Sequence, residues 1–531
     1  MSQSKPRLGY VFYISVIIVT IFVAWGFIRP SHLAETAGNA LAFVTRTFGW
    51  FYLFATFIFL VFALYLAFGP YGRIKLGKKD EDPEYNYWTW LGMLFSAGMG
   101  IGLVFWGVAE PMYHYMSPPE GIEGESIEAA KAAMRYSFFH WGLHPWAIYT
   151  IVALALAYAQ FRKGESGLIS STFRPLIGDR VDGPLGKGID TLAAIATAFG
   201  VATSLGLGTL QINGGLSHVF GLPNNTTVHL LIILVVTVLY MISASTGLNR
   251  GIKYLSNVNI SLAALLLLFV LLVGPSIFIL ETFTTTTGNY LGSIIPMSFR
   301  LTPFTQGEWV GAWTLFYWAW WIAWAPFVGT FIARVSRGRT IKEFVSGVLL
   351  VPTLIGALWF ATFGGSALHL EMFEGVSITQ AVSQSVEGAL FFTLEQFPLG
   401  LWLSILATLL IITFFVTSAD SATFVLGMLT SKGALNPKVS TKLIWGILQS
   451  GIAAVLLLSG GLNGLQTASI VAALPFAVIM LFMVLSLNKA LKAELREERR
   501  REKMRIRKLE QLIEEELGIG PTDIDTYKKD K

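Results

Sequence analysis

Long apolar runs separated by short polar segments recur along almost the whole chain. Twelve of them are near the length of about 20 apolar residues that a helix needs to cross a bilayer. They cover roughly residues 11–27, 50–68, 88–109, 137–159, 189–219, 228–245, 258–280, 309–333, 344–368, 399–428, 443–458 and 467–487. The pattern predicts an all-α polytopic membrane protein with twelve transmembrane helices. The third to the twelfth runs make ten, and splitting them five and five gives each half an odd count. The halves then enter the membrane from opposite sides, the inverted-repeat geometry of secondary transporters. This divides the chain into an N-terminal tip with two peripheral helices (1–87), a first repeat (88–280), an extracellular connector (281–308), a second repeat (309–487) and a charged tail (488–531).

Composition agrees: 54% of residues are hydrophobic and 13% charged, against about 25% charged in soluble domains. Where the charges lie adds orientation. With the N-terminus inside, the cytoplasmic segments before the tail hold twenty of the 38 Lys and Arg, the outer segments five and the tail thirteen. Both termini are therefore expected in the cytoplasm of a plasma-membrane protein. The first run follows Lys5 and Arg7 and lacks a small-residue cleavage site, so it reads as a retained helix. Cysteine is absent. No catalytic triad, metal cluster or phosphate loop stands out, and neither an enzyme nor a nucleic-acid partner is expected.

Chemistry concentrates in four runs. The eighth, GAWTLFYWAWWIAWAPF from Gly311 to Phe327, carries five tryptophans. Membrane tryptophans prefer the interfaces, yet Trp320, Trp321 and Trp324 fall near mid-depth. Trp320, Trp324 and Phe327 share a helical face. Indole faces gathered there suit a desolvated organic cation, above all a quaternary ammonium. The fourth run adds Trp141, Trp146 and Tyr149 around Pro145, which is expected to distort the helix. Its His140 and His144 are read as neutral and bonded to helix backbone. The third run reads Ser96-Ala97-Gly98-Met99-Gly100-Ile101-Gly102. Three glycines in mid-membrane fit either a discontinuous helix lining a cavity or close small-residue packing. The fifth and tenth runs hold hydroxyls, among them Thr197, Thr417 and Ser418, the kind of oxygen ligand that a hard cation such as sodium takes. In the five-plus-five split the third run corresponds to the eighth and the fifth to the tenth.

The runs GMGIGLVFWGVAEP (Gly98–Pro111), FHWGLHPWAIY (Phe139–Tyr149), ATSLGLGTLQI (Ala202–Ile212), YWAWWIAWAPFVGTFIARVSRGR (Tyr317–Arg339) and FFVTSADSATFVLG (Phe414–Gly427) resemble the betaine/carnitine/choline transporter family. The resemblance runs from the first helix to about Leu487. It implies a homotrimer of LeuT-like protomers, a 5+5 inverted repeat of helices 3–7 and 8–12 preceded by two extra helices. It implies an aromatic box of Trp141, Trp146, Tyr149, Trp320, Trp321 and Trp324, with Phe327 below and the glycines Gly98, Gly100 and Gly102 beside it. Gly102 stands where choline carriers of the family have aspartate, which points to betaine-type substrates. One sodium site of the coupled members falls on Ser96, Met99, Phe414, Thr417 and Ser418. A second falls on Thr197 and Phe327, but its other threonine is replaced here by Val201. The arginine that sodium-independent exchangers carry on the fifth helix is absent.

The tail holds ten Lys and Arg against four Glu between Lys489 and Lys508, followed by Glu510, Glu514, Glu515 and Glu516. A basic helix beside a membrane attracts anionic lipid, and a pairing with basic loops such as 334–342 competes with it. The resemblance implies osmotic sensing by this tail. The expected function is sodium-coupled import of glycine betaine or a similar zwitterionic osmoprotectant by alternating access, with no cofactor beyond the coupling ion.

Overall fold

The computed structural model describes residues 8–98, 100–246, 249–434 and 436–517, with side chains left aside at 95–98, 246, 249–254 and 514–517. Among the described residues there are helices, turns and one isolated bridge, and no strand. Ten helical segments of the described residues are long and apolar enough to cross a membrane, residues 127–162 counting as one.

The helices are α1 (Tyr10–Ile28), α2 (Pro30–Phe68), α3 (Tyr87–Gly98), α4 (Ile101–Met116), α5 (Ile127–Trp141), α6 (Leu143–Ala157), the short α7 (Arg174–Ile177), α8 (Pro184–Phe220), α9 (Thr226–Thr246), α10 (Asn249–Val273), α11 (Ser276–Ser298), α12 (Phe316–Val335), α13 (Ile341–Phe373), α14 (Ile378–Gln384), α15 (Ala389–Glu395), α16 (Gly400–Thr430) and α17 (Val439–Leu517). π-Helical turns continue α6 (Tyr158–Arg162) and precede α12 (Gly311–Leu315). α12 packs against α6 and α8, and α16 against α8 and α10. The largest side chains at their contacts, among them Trp106, Tyr149 and Trp318, are fully buried.

Three interruptions shape the bundle. The third apolar run is split: α3 ends at Gly98, and Gly100, extended at φ −162° and ψ −177°, caps the start of α4. The fourth is split at Gly142 (φ −96°, ψ −136°), where α5 ends and α6 begins. The break lies within one turn before Pro145, as expected of a proline, and Pro145 itself sits in the first turn of α6, where a missing N–H costs nothing. Gly142 permits the break because a Cβ there would meet Phe138 O at 2.4 Å and Tyr290 OH at 2.7 Å. Tyr290 of α11 then accepts the Leu143 N–H at 3.0 Å. The last two apolar runs lie in α17, bent at Gly461, whose φ of 55° suits glycine.

The seventh run ends earlier than expected. α10 stops at Val273, Pro275 is its break, and Leu280 belongs to α11. The connector expected from residue 281 is therefore helical as far as Ser298.

Two devices tie one end of the bundle. Residues 72–76 pair by backbone hydrogen bonds with 338–342, for example Leu76 N–H to Arg339 O at 2.8 Å and Ile341 N–H to Ile74 O at 2.9 Å. α13 starts there in a capping box of Thr340 and Glu343. The second device anchors the tail. Glu494 of α17 is buried and receives Tyr158 OH at 2.6 Å, Arg162 Nε at 2.7 Å and Lys163 Nζ at 2.8 Å. Arg162 also donates to Gly77 O, and Lys79 pairs with Glu498. The tail's glutamates thus meet basic groups after α6 and in the 71–87 loop, whereas Arg337 of the 334–342 segment pairs with Glu81.

Burial raises the Glu494 carboxyl pKa, and the bonds from Lys163, Tyr158 and Arg162 outweigh it, leaving the pKa below the usual 4.5. A lowered carboxyl contributes stability in full above pH ~4.5 and loses it as pH falls through the folded value. Glu494→Gln removes the ionic partner of Lys163 and the nearer of the two carboxylates at Arg162, which keeps Glu498 at 3.8 Å; breaking a buried pair costs about 3 kcal/mol, and the exposure of Lys163 makes the cost smaller here. We expect amide hydrogen exchange across residues 488–500 to accelerate at least ten-fold at neutral pH in Glu494→Gln. In the parent protein the protection should persist to pH 5.

Candidate functional site

A cavity of about 800 Å³ lies where the broken helices meet α12 and α16. Its lining includes Gly100, Gly102, Trp141, Trp146, Tyr149, Trp320, Trp321, Trp324, Phe327, Phe414, Thr417 and Ser418, so most of the sequence-derived candidates face one space. The cavity runs on to Arg334, Arg337 and Lys442, and Arg337 is 46% exposed there. Beyond the tryptophans in the other direction, Glu110, His140, Tyr317 and Trp318 are fully buried.

The aromatic wall is built by the break at Gly142. α5 ends on Trp141, and α6 restarts with Trp146 and Tyr149 in its first two turns. Trp321 from α12 meets Trp141 edge-on at 4.9 Å between centroids and Tyr149 edge-on at 5.7 Å. Trp146 meets Tyr149 edge-on at 5.4 Å. Four rings therefore stand at steep angles to one another, which points several π faces into a shared volume. Trp320 stacks on Trp321 at 5.2 Å. Trp324 pairs with Phe327 at 5.2 Å and donates its N–H to Gly200 O, forming a second pair further along α12.

The two readings of the third run's glycines both hold, at different residues. Gly100 faces open space and marks the helix break. Gly102 permits contact: a Cβ there would lie 2.4 Å from Trp320 Cη2 and 3.1 Å from Trp141 Cη2. The α4 N-terminus, with its positive end, opens beside the tryptophans. The side chains of Ser96 and Gly98, and Met99 altogether, lie outside the described residues.

On the oxygen-rich side, the Thr417 hydroxyl donates to Thr413 O at 2.9 Å and lies 3.2 Å from Phe414 O. Asn259 of α10 donates to the same hydroxyl at 3.2 Å. Asp420 receives Ser243 Oγ–H at 2.6 Å and lines the cavity further along. Hydroxyl and carbonyl oxygens of this kind fit a hard cation. Thr197 is not part of the lining; it is buried, with its hydroxyl donating to Ala193 O at 2.7 Å. Val201 is buried beside Gly200, which touches Trp324 and Ala323.

The histidines bond to side chains rather than to backbone. His144 meets Ser298 Oγ at 2.8 Å. His140 meets Glu110 Oε1 at 2.7 Å and Thr314 Oγ1 at 3.0 Å. Glu110 and Asn259 are the polar residues that the sequence pattern passed over. Glu110 falls one residue beyond the third apolar run, and its intramembrane acidity was the available signal. With His114 and His140 it makes a buried group of metal-ligand composition. The 2.7 Å contact makes it a hydrogen-bonded cluster.

The model of the betaine/carnitine/choline family of transporters matches residues 10–496. The chain is 55% identical to a protein of Bacillus subtilis (strain 168) named glycine betaine transporter OpuD, over 94% of this chain and 97% of that one. It is 51% identical to an ectoine/hydroxyectoine transporter of Virgibacillus pantothenticus, over 91% and 96%. It is 48% identical to a probable glycine betaine transporter of Desulfitobacterium hafniense (strain Y51), over 91% and 97%.

The Gly102 contact yields a direct test. Gly102→Ala forces Trp320 or α4 to move, an overpacking cost of about 1–3 kcal/mol. Gly100→Ala adds a methyl in open space at an extended φ. We expect Gly102→Ala, and not Gly100→Ala, to lower the unfolding temperature and to shift tryptophan emission.

Proposed function

The chain belongs to the betaine/carnitine/choline transporter family, and on that premise we propose that it is a sodium-coupled importer of glycine betaine. The observation that carries this reading is the aromatic wall of Trp141, Trp146, Tyr149 and Trp321 standing beside the α4 N-terminus in one cavity. A trimethylammonium head seats against the indole faces, each contact contributing about 0.5–2 kcal/mol. The carboxylate of the same zwitterion faces the positive end of α4.

Sodium is held beside it by the Phe414 carbonyl, Thr417 and Ser418, with Ser96 and Met99 completing the set; Thr197 and Phe327 are the candidates for a second ion. The cavity's extension to Arg334 and Lys442 is the inward-open arm of an alternating-access cycle, with both termini in the cytoplasm. The carrier works as a homotrimer in the plasma membrane. Its tail, whose Lys492, Arg496, Arg499 and Arg500 are exposed, meets anionic lipid there and adjusts activity to osmotic state.

A second reading is import of ectoine, supported by the 51% identity to the Virgibacillus pantothenticus transporter. Both substrates are small zwitterions, and competition separates them.

Uptake of labelled glycine betaine into proteoliposomes tests the proposal. We expect uptake driven by an inward sodium gradient, with unlabelled ectoine competing more weakly than betaine. Trp321→Leu should raise KM at least ten-fold, Trp324→Leu by less, and Thr417→Ala should raise the sodium concentration for half-maximal uptake. Uptake that proceeds equally without sodium would overturn the coupling, and stronger competition by ectoine would reverse the order of substrates.

A further inference from the structure

Behind the aromatic wall sits one carboxylate that serves four donors. Glu110 of α4 is fully buried. Its Oε1 is 2.7 Å from His140 Nδ1 and 3.2 Å from His114 Nε2. Its Oε2 receives Trp141 Nε1–H at 2.8 Å and Tyr317 O–H at 2.5 Å. A carboxylate accepts at about four lone-pair sites, so these four partners occupy both oxygens. Among the described residues Glu110 is the acceptor of the Trp141 N–H, and the ring's orientation follows from this bond. The cluster reaches the opposite wall as well. The His140 backbone carbonyl accepts Trp321 Nε1–H at 3.0 Å, and the His140 ring stacks on Tyr317 at 4.7 Å.

We propose that Glu110 is a positioning and selectivity residue of the cation cage, acting through Trp141. Resting on the function proposed above, this inference deepens it by naming what makes the cage prefer a charged head. Two physical effects follow from the geometry. First, hydrogen bonds to an ionised acceptor are shorter and roughly twice as strong as neutral ones, so the edge of Trp141 is fixed and its face is aimed into the cavity. Second, an indole whose N–H donates to a carboxylate carries more electron density on its ring, and cation–π attraction is electrostatic. Shape alone would fit a tertiary-butyl head as well as a trimethylammonium head; the carboxylate separates them.

The test compares glycine betaine with 3,3-dimethylbutyrate, which has the same carboxylate and shape but a neutral head. Binding is read by tryptophan quenching on purified full-length protein in saturating sodium. The parent should bind betaine, and a parent that does not would overturn the functional reading before this one is reached. In Glu110→Gln the ratio of betaine to dimethylbutyrate affinity should fall at least ten-fold. Glu110→Gln placed on Trp141→Phe, which lacks the N–H, should lower the ratio less than two-fold further. A parent that binds betaine while Glu110→Gln weakens both ligands equally, or leaves both unchanged, would overturn the inference alone. So would losses that add fully with Trp141→Phe. Should Glu110→Gln fail to fold, Tyr317→Phe serves instead, because it leaves the Trp141 N–H as the sole donor to Oε2 without touching the cavity lining. A ratio that rises supports the proposal, and a ratio that is unchanged or falls overturns it.

Discussion

Hydrocarbon offers no hydrogen bonds, so every helix interruption inside a membrane must be satisfied by protein or face a polar cavity. Nearly everything distinctive in this bundle follows from where its interruptions fall. The break at Gly100 exposes the start of α4 to the cavity, and the break at Gly142 hands Trp141 to one helix and Trp146 to the next. Each is held by a side chain from elsewhere. Tyr290 supplies the acceptor for Leu143, and Trp320 fills the space that Gly102 leaves empty. Unbroken helices would turn these groups toward their own hydrogen-bond ladders and leave no shared volume among them.

That constraint also explains what the chain's pattern made legible. Apolar length located the spans, and basic residues suggested their orientation, because both signals are local. The tryptophans of α12 were legible for a related reason: aromatic residues at mid-depth contradict their interfacial preference. Glu110 was not legible as a partner, since its four donors come from α4 itself, α5 and α12. Separations of 30 residues to His140 and 207 to Tyr317 leave no periodic trace. Asn259 is hidden in the same way, reaching Thr417 across 158 residues. The seventh apolar run extends past the end of α10 because Pro275 lies between two apolar stretches, and hydropathy averages across the break that proline imposes on the backbone. The break in the fourth run falls within one turn before Pro145, whose ring cannot follow an unbroken helix there, while in the first turn of the new helix proline is well tolerated.

Site and tail are joined by a single helical element. α6 begins with the cage residues Trp146 and Tyr149, and its π-helical continuation ends in Tyr158 and Arg162, which hold Glu494. Nine residues at 1.5 Å each put Tyr149 and Tyr158 about 14 Å apart along it. The helix between them is fully buried, so close packing transmits displacement along it instead of absorbing it. The aromatic contacts at one end and the buried carboxylate at the other are thus held by one continuous, closely packed element, and the widened π turn at Tyr158–Arg162 sets the rotation of the residues that grip Glu494 relative to those that face Trp321.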